Sequence, residues 1–126
     1  MHQFKRNRRL RVNESIRSLV RENHISENDF IVPLFIVDGK GIKEEILSMP
    51  NYFRYSLDTL KNEIKELWGL GLKSVLLFVK VDDKLKDNYG KEAINPDGLM
   101  QRAVMTIKST CPDMLIMTDV ALDPYS

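Results

Sequence analysis

The sequence predicts an α/β domain built on a parallel sheet, and three observations carry that prediction. Short apolar runs at 30–37, 74–79 and 114–117 read as buried strands. Two amphipathic segments, 57–68 and 99–107, lie between them with apolar residues at helical spacing. Strand, helix, strand, helix, strand is the order of a parallel sheet with right-handed crossovers. A doubly wound open sheet and a (β/α)8 barrel both have this order, so the pattern alone leaves the two open.

Taken in order, residues 1–12 show no period and are expected to be extended, with a reach of roughly 40 Å. Asn13 is placed to cap a short helix over 14–22, in which Ile16, Leu19 and Val20 share a face. His24 follows with no second ligand at useful spacing, so it reads as an ordinary surface histidine. Ser26-Glu-Asn-Asp29 is a turn. Phe30 to Val37 is almost wholly apolar, as in a strand buried on both faces, and Pro33 within it removes one ladder donor. Asp38-Gly-Lys-Gly41 is a loop that lacks the context of a phosphate cradle.

Residues 42–55 read as a connection. Ser56 then caps a helix with Leu57, Leu60, Ile64, Leu67 and Trp68 on its inner stripe, and Gly69 and Gly71 supply the positive φ that stops it. Lys80, Asp82 and Asp83 follow the second strand at its carboxyl end. Residues 86–98 form a polar loop, and Asn95-Pro96 is placed to start the next helix. Leu99, Met100, Ala103, Val104 and Ile107 make that helix's inner face. Cys111-Pro112-Asp113 stops it before the third strand.

Composition narrows the functional classes. The chain has 126 residues, 43% hydrophobic and 29% charged, which suits a single globular domain. No apolar run approaches the roughly 18 residues of a membrane span, and residues 1–10 have charge without the apolar centre of a signal peptide. A lone cysteine, Cys111, reads as structural and fits a reducing cytoplasm. Net charge is +1, but residues 1–24 carry +5 and the remaining 102 carry −4. A cationic arm on an acidic body points to docking on protein, such as a second copy. Nucleic acid is not an expected partner, because the arm has one aromatic, Phe4, and no stacking surface.

The chemistry gathers at the end of the third strand. Asp119 sits where that strand stops, and Asp123 follows in a turn beside Pro124. A carboxylate at the carboxyl end of a parallel strand faces the crevice where α/β proteins place their sites. An acid there suits a cation, an amine or a metal.

Thr118-Asp-Val-Ala-Leu-Asp-Pro-Tyr-Ser126 resembles the metal-site segment of the porphobilinogen synthase (delta-aminolevulinic acid dehydratase) family. Pro33-Leu-Phe-Ile-Val37, Ser48-Met-Pro50, Lys86-Asp87, Gly90 and Asn95-Pro-Asp-Gly-Leu99 look like the same family in the same order. Together they cover the whole chain.

The resemblance implies the barrel rather than the open sheet. Residues 1–29 would be the family's N-terminal arm. Residues 30–126 would be a partial barrel, the first three parallel strands and two helices, ending after strand 3. A full barrel needs about 250 residues, so the expectation is a fragment of roughly the first two-fifths of such an enzyme. A partial barrel completed by another copy is the alternative.

The implied activity is that of a hydro-lyase condensing two molecules of 5-aminolevulinate into porphobilinogen, on the path to haem and other tetrapyrroles. The family's two Schiff-base lysines lie on later strands, beyond Ser126, so the fragment is expected to be inactive alone. Lys80 ends a strand but matches no family catalytic position. Asp119 matches a substrate-pocket carboxylate. Zinc-dependent relatives carry cysteines where this chain has Ala121 and Asp123. Alanine cannot ligate, and a carboxylate favours harder cations. The resemblance is therefore to the zinc-independent branch, with Asp123 an active-site acid at a metal-ligand position and Mg2+ an allosteric ion bound elsewhere. Family members assemble as homo-octamers in which arms hug neighbouring barrels. The competing reading is a non-catalytic oligomerisation or interaction module that uses the basic arm and an open sheet edge.

Overall fold

The structure, a computed structural model, describes residues 7–126. Phe4, the arm's one aromatic, lies outside the described residues, as do Lys5 and Arg6 of the basic run. The expectation of an extended 1–12 is corrected at Arg9–Arg11, which form one 3-10 turn. Helix α1 spans Glu14–Leu19, three residues shorter than the spacing suggested. Asn13 caps it as expected, its side chain accepting from Ile16 N at 2.9 Å. None of its residues is buried, and Leu10, Val12 and Leu19 face solvent. Ser26 and Asp29 close a capping box around the next turn, Glu27–Asp29.

Five strands form one sheet in the order β2-β3-β1-β4-β5. Strand β1 is Val32–Val37, β2 is Lys43–Ile46, β3 is Met49–Tyr55, β4 is Ser74–Lys80 and β5 is Leu115–Thr118. Strands β1, β4 and β5 are the three predicted from apolar runs, and they are parallel neighbours. The hairpin β2–β3 corrects the reading of 42–55 as a connection. Its second strand lies parallel to β1 through Phe35↔Arg54 and Ile36↔Tyr55. Tyr52 strengthens that junction by donating its hydroxyl to the carbonyl of Pro33.

Helix α2 spans Leu57–Gly69 and α3 spans Leu99–Thr110, both on one face of the sheet. Strand side chains alternate, so Leu34, Ile36, Val75 and Leu77 point to the helices. They meet Leu60, Ile64 and Leu67 from α2 and Leu99, Ala103 and Ile107 from α3. Burying each such Leu or Ile is worth about 1.5–3 kcal/mol. Trp68 packs at the edge of this core and carries the Lys73 ammonium 3.5 Å from its ring centroid.

Two helix boundaries differ from expectation. Gly71, at φ +93°, ends α2 alone; Gly69 stays helical, with no positive φ. Gly71 N donates to Trp68 O and Leu72 N to Leu67 O, the paired bonds of a Schellman turn. Helix α3 starts at Leu99 with Gly98 at its N-cap, not at Asn95-Pro96. Asn95 instead folds its own loop, accepting from Asp97 N and donating to Glu92.

Among the described residues the other face of the sheet carries no helix, which corrects the expectation of strands buried on both sides. Phe35 stacks on Phe78 with centroids 5.3 Å apart and meets Tyr52 edge-on at 5.9 Å. These rings are half-buried. The accessible surface is 9794 Å2, whereas a compact monomer of this mass would show about 6,900 Å2.

Candidate functional site

Because β1, β4 and β5 are parallel, their carboxyl ends share one rim. Val37 is level with Lys80, and Leu77 with Thr118. Asp38, Val81 and Asp119 are the first residues past the three strands. Asp119 therefore stands at the rim where the apolar run at 114–117 predicts it, and that run is strand rather than helix.

Between the ends of β1 and β4 lies an open cleft of about 290 Å3, lined by Val37, Asp38, Lys80, Val81, Asp82 and Asp83. Lys80 belongs to the sheet face without helices, since it pairs with Val37 and alternates with the helix-facing Val79. It makes no ion pair among the described residues. Asp38 is held differently. Arg102 of α3 reaches across and places Nη2 2.9 Å from Asp38 Oδ2. That guanidinium lowers the Asp38 carboxyl below its ordinary pKa.

The loop after β1 is tied to the start of α2. Gly41 N donates to Asp58 Oδ2 at 2.8 Å, Ile42 N to Ser56 Oγ at 2.9 Å, and Thr59 Oγ1 to Ile42 O at 2.6 Å. Asp58 thereby occupies the Gly41 amide itself. Ser56 sits at the N-cap position but spends its hydroxyl on Ile42 and Asp58.

Asp119 lines a second, small pocket of about 30 Å3 with Phe78, Val79, Met100, Ala121, Pro124 and Tyr125. Asp123 opens the 3-10 turn Asp123–Tyr125 and is exposed; it does not line that pocket. The two acids thus share one segment but not one cavity. Among the described residues, no three His, Cys, Asp or Glu side chains gather closely enough to hold a metal. Ala121 offers no donor atom, and Asp123 is a lone carboxylate. These residues by themselves do not fit a metal ion.

Sequence reasoning missed Tyr125. It is buried at 8% exposure in a segment that is otherwise mostly exposed. Burial first, and then the Glu92 carboxylate, raises its phenol above the ordinary pKa. Its backbone carbonyl accepts from Asp87 N at 3.2 Å, across 38 residues of chain. A loop-to-loop contact of this kind leaves no periodic trace.

The chain was compared with known proteins. The family model for delta-aminolevulinic acid dehydratase matches residues 4–126. The delta-aminolevulinic acid dehydratase of Chlamydia pneumoniae is 43% identical over 97% of this chain and 37% of its own length. That of Ruminiclostridium josui is also 43% identical, over 98% of this chain and 59% of its own. Among solved structures, delta-aminolevulinic acid dehydratase (porphobilinogen synthase) from Toxoplasma gondii ME49, in complex with the reaction product porphobilinogen, superposes with a TM-score of 0.89. It is 45% identical, and the match covers 97% of this chain and 34% of that one. The fold is accordingly the N-terminal part of a (β/α)8 barrel. The chain spans less than two thirds of the length of each of these relatives.

Proposed function

Because the chain belongs to the delta-aminolevulinic acid dehydratase family, we propose that it supplies one wall and one rim of an enzyme that condenses two molecules of 5-aminolevulinate. The reaction joins the two substrates and releases two waters to give the pyrrole porphobilinogen. One observation carries the reading: β5 runs parallel to β4 and delivers Asp119 to the carboxyl rim of a barrel wall. A carboxylate there holds an ammonium group, or orients a proton acceptor, beside the reacting amine.

The two Schiff-base lysines that the family uses stand on strands outside these 126 residues. The chain alone is therefore expected to be inactive. Asp123, on the exposed turn, is the acid at the family's metal-ligand position. With Ala121 beside it we assign the protein to the zinc-independent branch, in which Mg2+ acts as an allosteric ion at a site outside this chain. No step here is routed through a metal.

We further propose a homo-octamer in the cytoplasm. Leu10, Val12 and Leu19 on the exposed arm are the apolar surface such an assembly would bury on a neighbour. The opposed charges of arm and body add only about 0–1 kcal/mol per exposed pair.

The test is pyrrole formation from 5-aminolevulinate by the longest protein that carries this sequence, with Mg2+ and with a zinc chelator. We expect activity that survives the chelator and falls at least a hundredfold in Asp119→Asn. No pyrrole from the metal-replete protein would reject the assignment. A second reading, an interaction module, is favoured by the uncovered sheet face. It predicts that the isolated chain forms one defined, saturable complex, where a barrel fragment gives polydisperse aggregate.

A further inference from the structure

Past β5, the segment that carries both acids has one buried side chain among its residues. Asp119, Val120, Leu122 and Asp123 are exposed, Val120 at 99%, while Ala121 and Pro124 are half-buried. Tyr125 is the one buried side chain among residues 119–126. With Phe78 and Val79 of β4 and Met100 of α3 it lines the small pocket whose wall also includes Asp119.

A second element grips it from outside. The loop joining β4 to α3 is folded tightly about Asp87, whose carboxylate accepts from Tyr89 N at 2.8 Å and Lys91 N at 3.3 Å. Gly90, at φ +60°, completes that turn, with its amide donating to Asp87 O at 3.1 Å. So shaped, the loop presents Asp87 N to Tyr125 O and lays Gly90 against Leu122, where an added Cβ would stand 3.6 Å from Leu122 Cδ2. The turn closes on itself through Tyr125 N to Leu122 O at 2.9 Å.

We propose that Tyr125 is a positioning residue: with the Asp87–Gly90 turn as its brace, it sets where Asp119 and Asp123 stand over the rim. It touches neither substrate nor reacting atoms and acts through the backbone it anchors. Burial of Tyr125 and its carbonyl's bond to Asp87 N fix the far end of the segment, and β5 fixes the near end. Between those two points the acids have few other contacts to hold them. The catalytic part of this inference rests on reading Asp119 and Asp123 as active-site acids; the brace itself does not.

The test uses the longest protein that carries this sequence and follows amide exchange together with pyrrole formation. In Tyr125→Ala, exchange of amides in 119–126 is expected to rise at least tenfold while β1, β4 and α2 exchange at the parent rate. Its kcat is expected to fall at least tenfold. Tyr125→Phe, which keeps a buried aromatic ring, restores both readouts to within twofold of the parent. Gly90→Ala strains the brace from the other side and is expected to raise exchange at least threefold in 86–92 and in 119–126 together. It also serves if Tyr125→Ala does not fold. Unchanged exchange in 119–126, a uniform rise across the whole protein, or a Gly90→Ala effect confined to 86–92 would overturn the proposal. If the parent protein makes no pyrrole, the enzymatic reading fails while the exchange data still decide the brace.

Discussion

Arg102 of helix α3 and Asp38, the first residue past strand β1, form an ion pair at 2.9 Å across 64 residues of chain. Both side chains are partly exposed, so the pair is worth about 0.5–1 kcal/mol at most. Its pH dependence has a definite sign. The Asp38 pKa is lowered by Arg102, so its contribution is present above the ordinary carboxylate value of about 4 and is lost as pH falls through the lowered one. Asp38→Asn should lower the urea midpoint slightly at neutral pH and flatten the acid limb below the ordinary carboxylate value of about 4. Parallel curves for parent and variant would contradict this.

At the alkaline end the group to watch is Tyr55. It is buried at 5% exposure, and burial first, then Glu63, raises its pKa well above the ordinary phenol value. A raised pKa stabilises the fold below the unfolded value of about 10 and withdraws that stability as pH climbs beyond it. Tyr55→Phe should therefore make stability less sensitive to pH above 10. Circular dichroism melts at pH 9, 10 and 11 read this directly, and an unchanged slope would count against it.

Ile64 and Ile107 are both fully buried, one on each helix, against the same strands. Either one replaced by alanine should cost about 2–5 kcal/mol in chemical unfolding. The two losses should not add in the double variant, because the helices share one core. Additivity within error would mean that the two cavities are independent.

Gly71→Ala is expected to be worse than its size suggests. The residue holds φ +93° in the Schellman turn, and a Cβ there would stand 3.3 Å from Glu27 Cγ. The cost should be about 1 kcal/mol or more. Gly69→Ala, in the last turn of the same helix with open space around it, should be neutral or stabilising. Reversal of that order in thermal melts would refute the assignment of the helix stop.

These cases show where the sequence was readable. The parallel strands announced themselves because their helix-facing residues, Leu34, Ile36, Val75 and Leu77, sit in continuous apolar runs. The placement of Asp119 followed from the third run. The hairpin β2–β3 stayed hidden because Lys43, Glu44 and Glu45 are polar and exposed, and Pro50 argues against a strand. Its aromatic tail, Tyr52, Phe53 and Tyr55, was the available signal. Asn95-Pro96 looked like a helix start, but Asn95 closes a tighter local turn and leaves the cap to Gly98. The Tyr125 anchor depends on two loops meeting in space, and no local pattern encodes that.

The bare side of the sheet has a calorimetric consequence. Heat capacity and denaturant sensitivity both scale with the area newly wetted when a chain unravels, and here Phe35, Phe78 and their neighbours are already partly wet. This polypeptide should therefore melt over a broader temperature span and respond more weakly to urea than its length implies. A partner wall laid over those rings would sharpen both transitions.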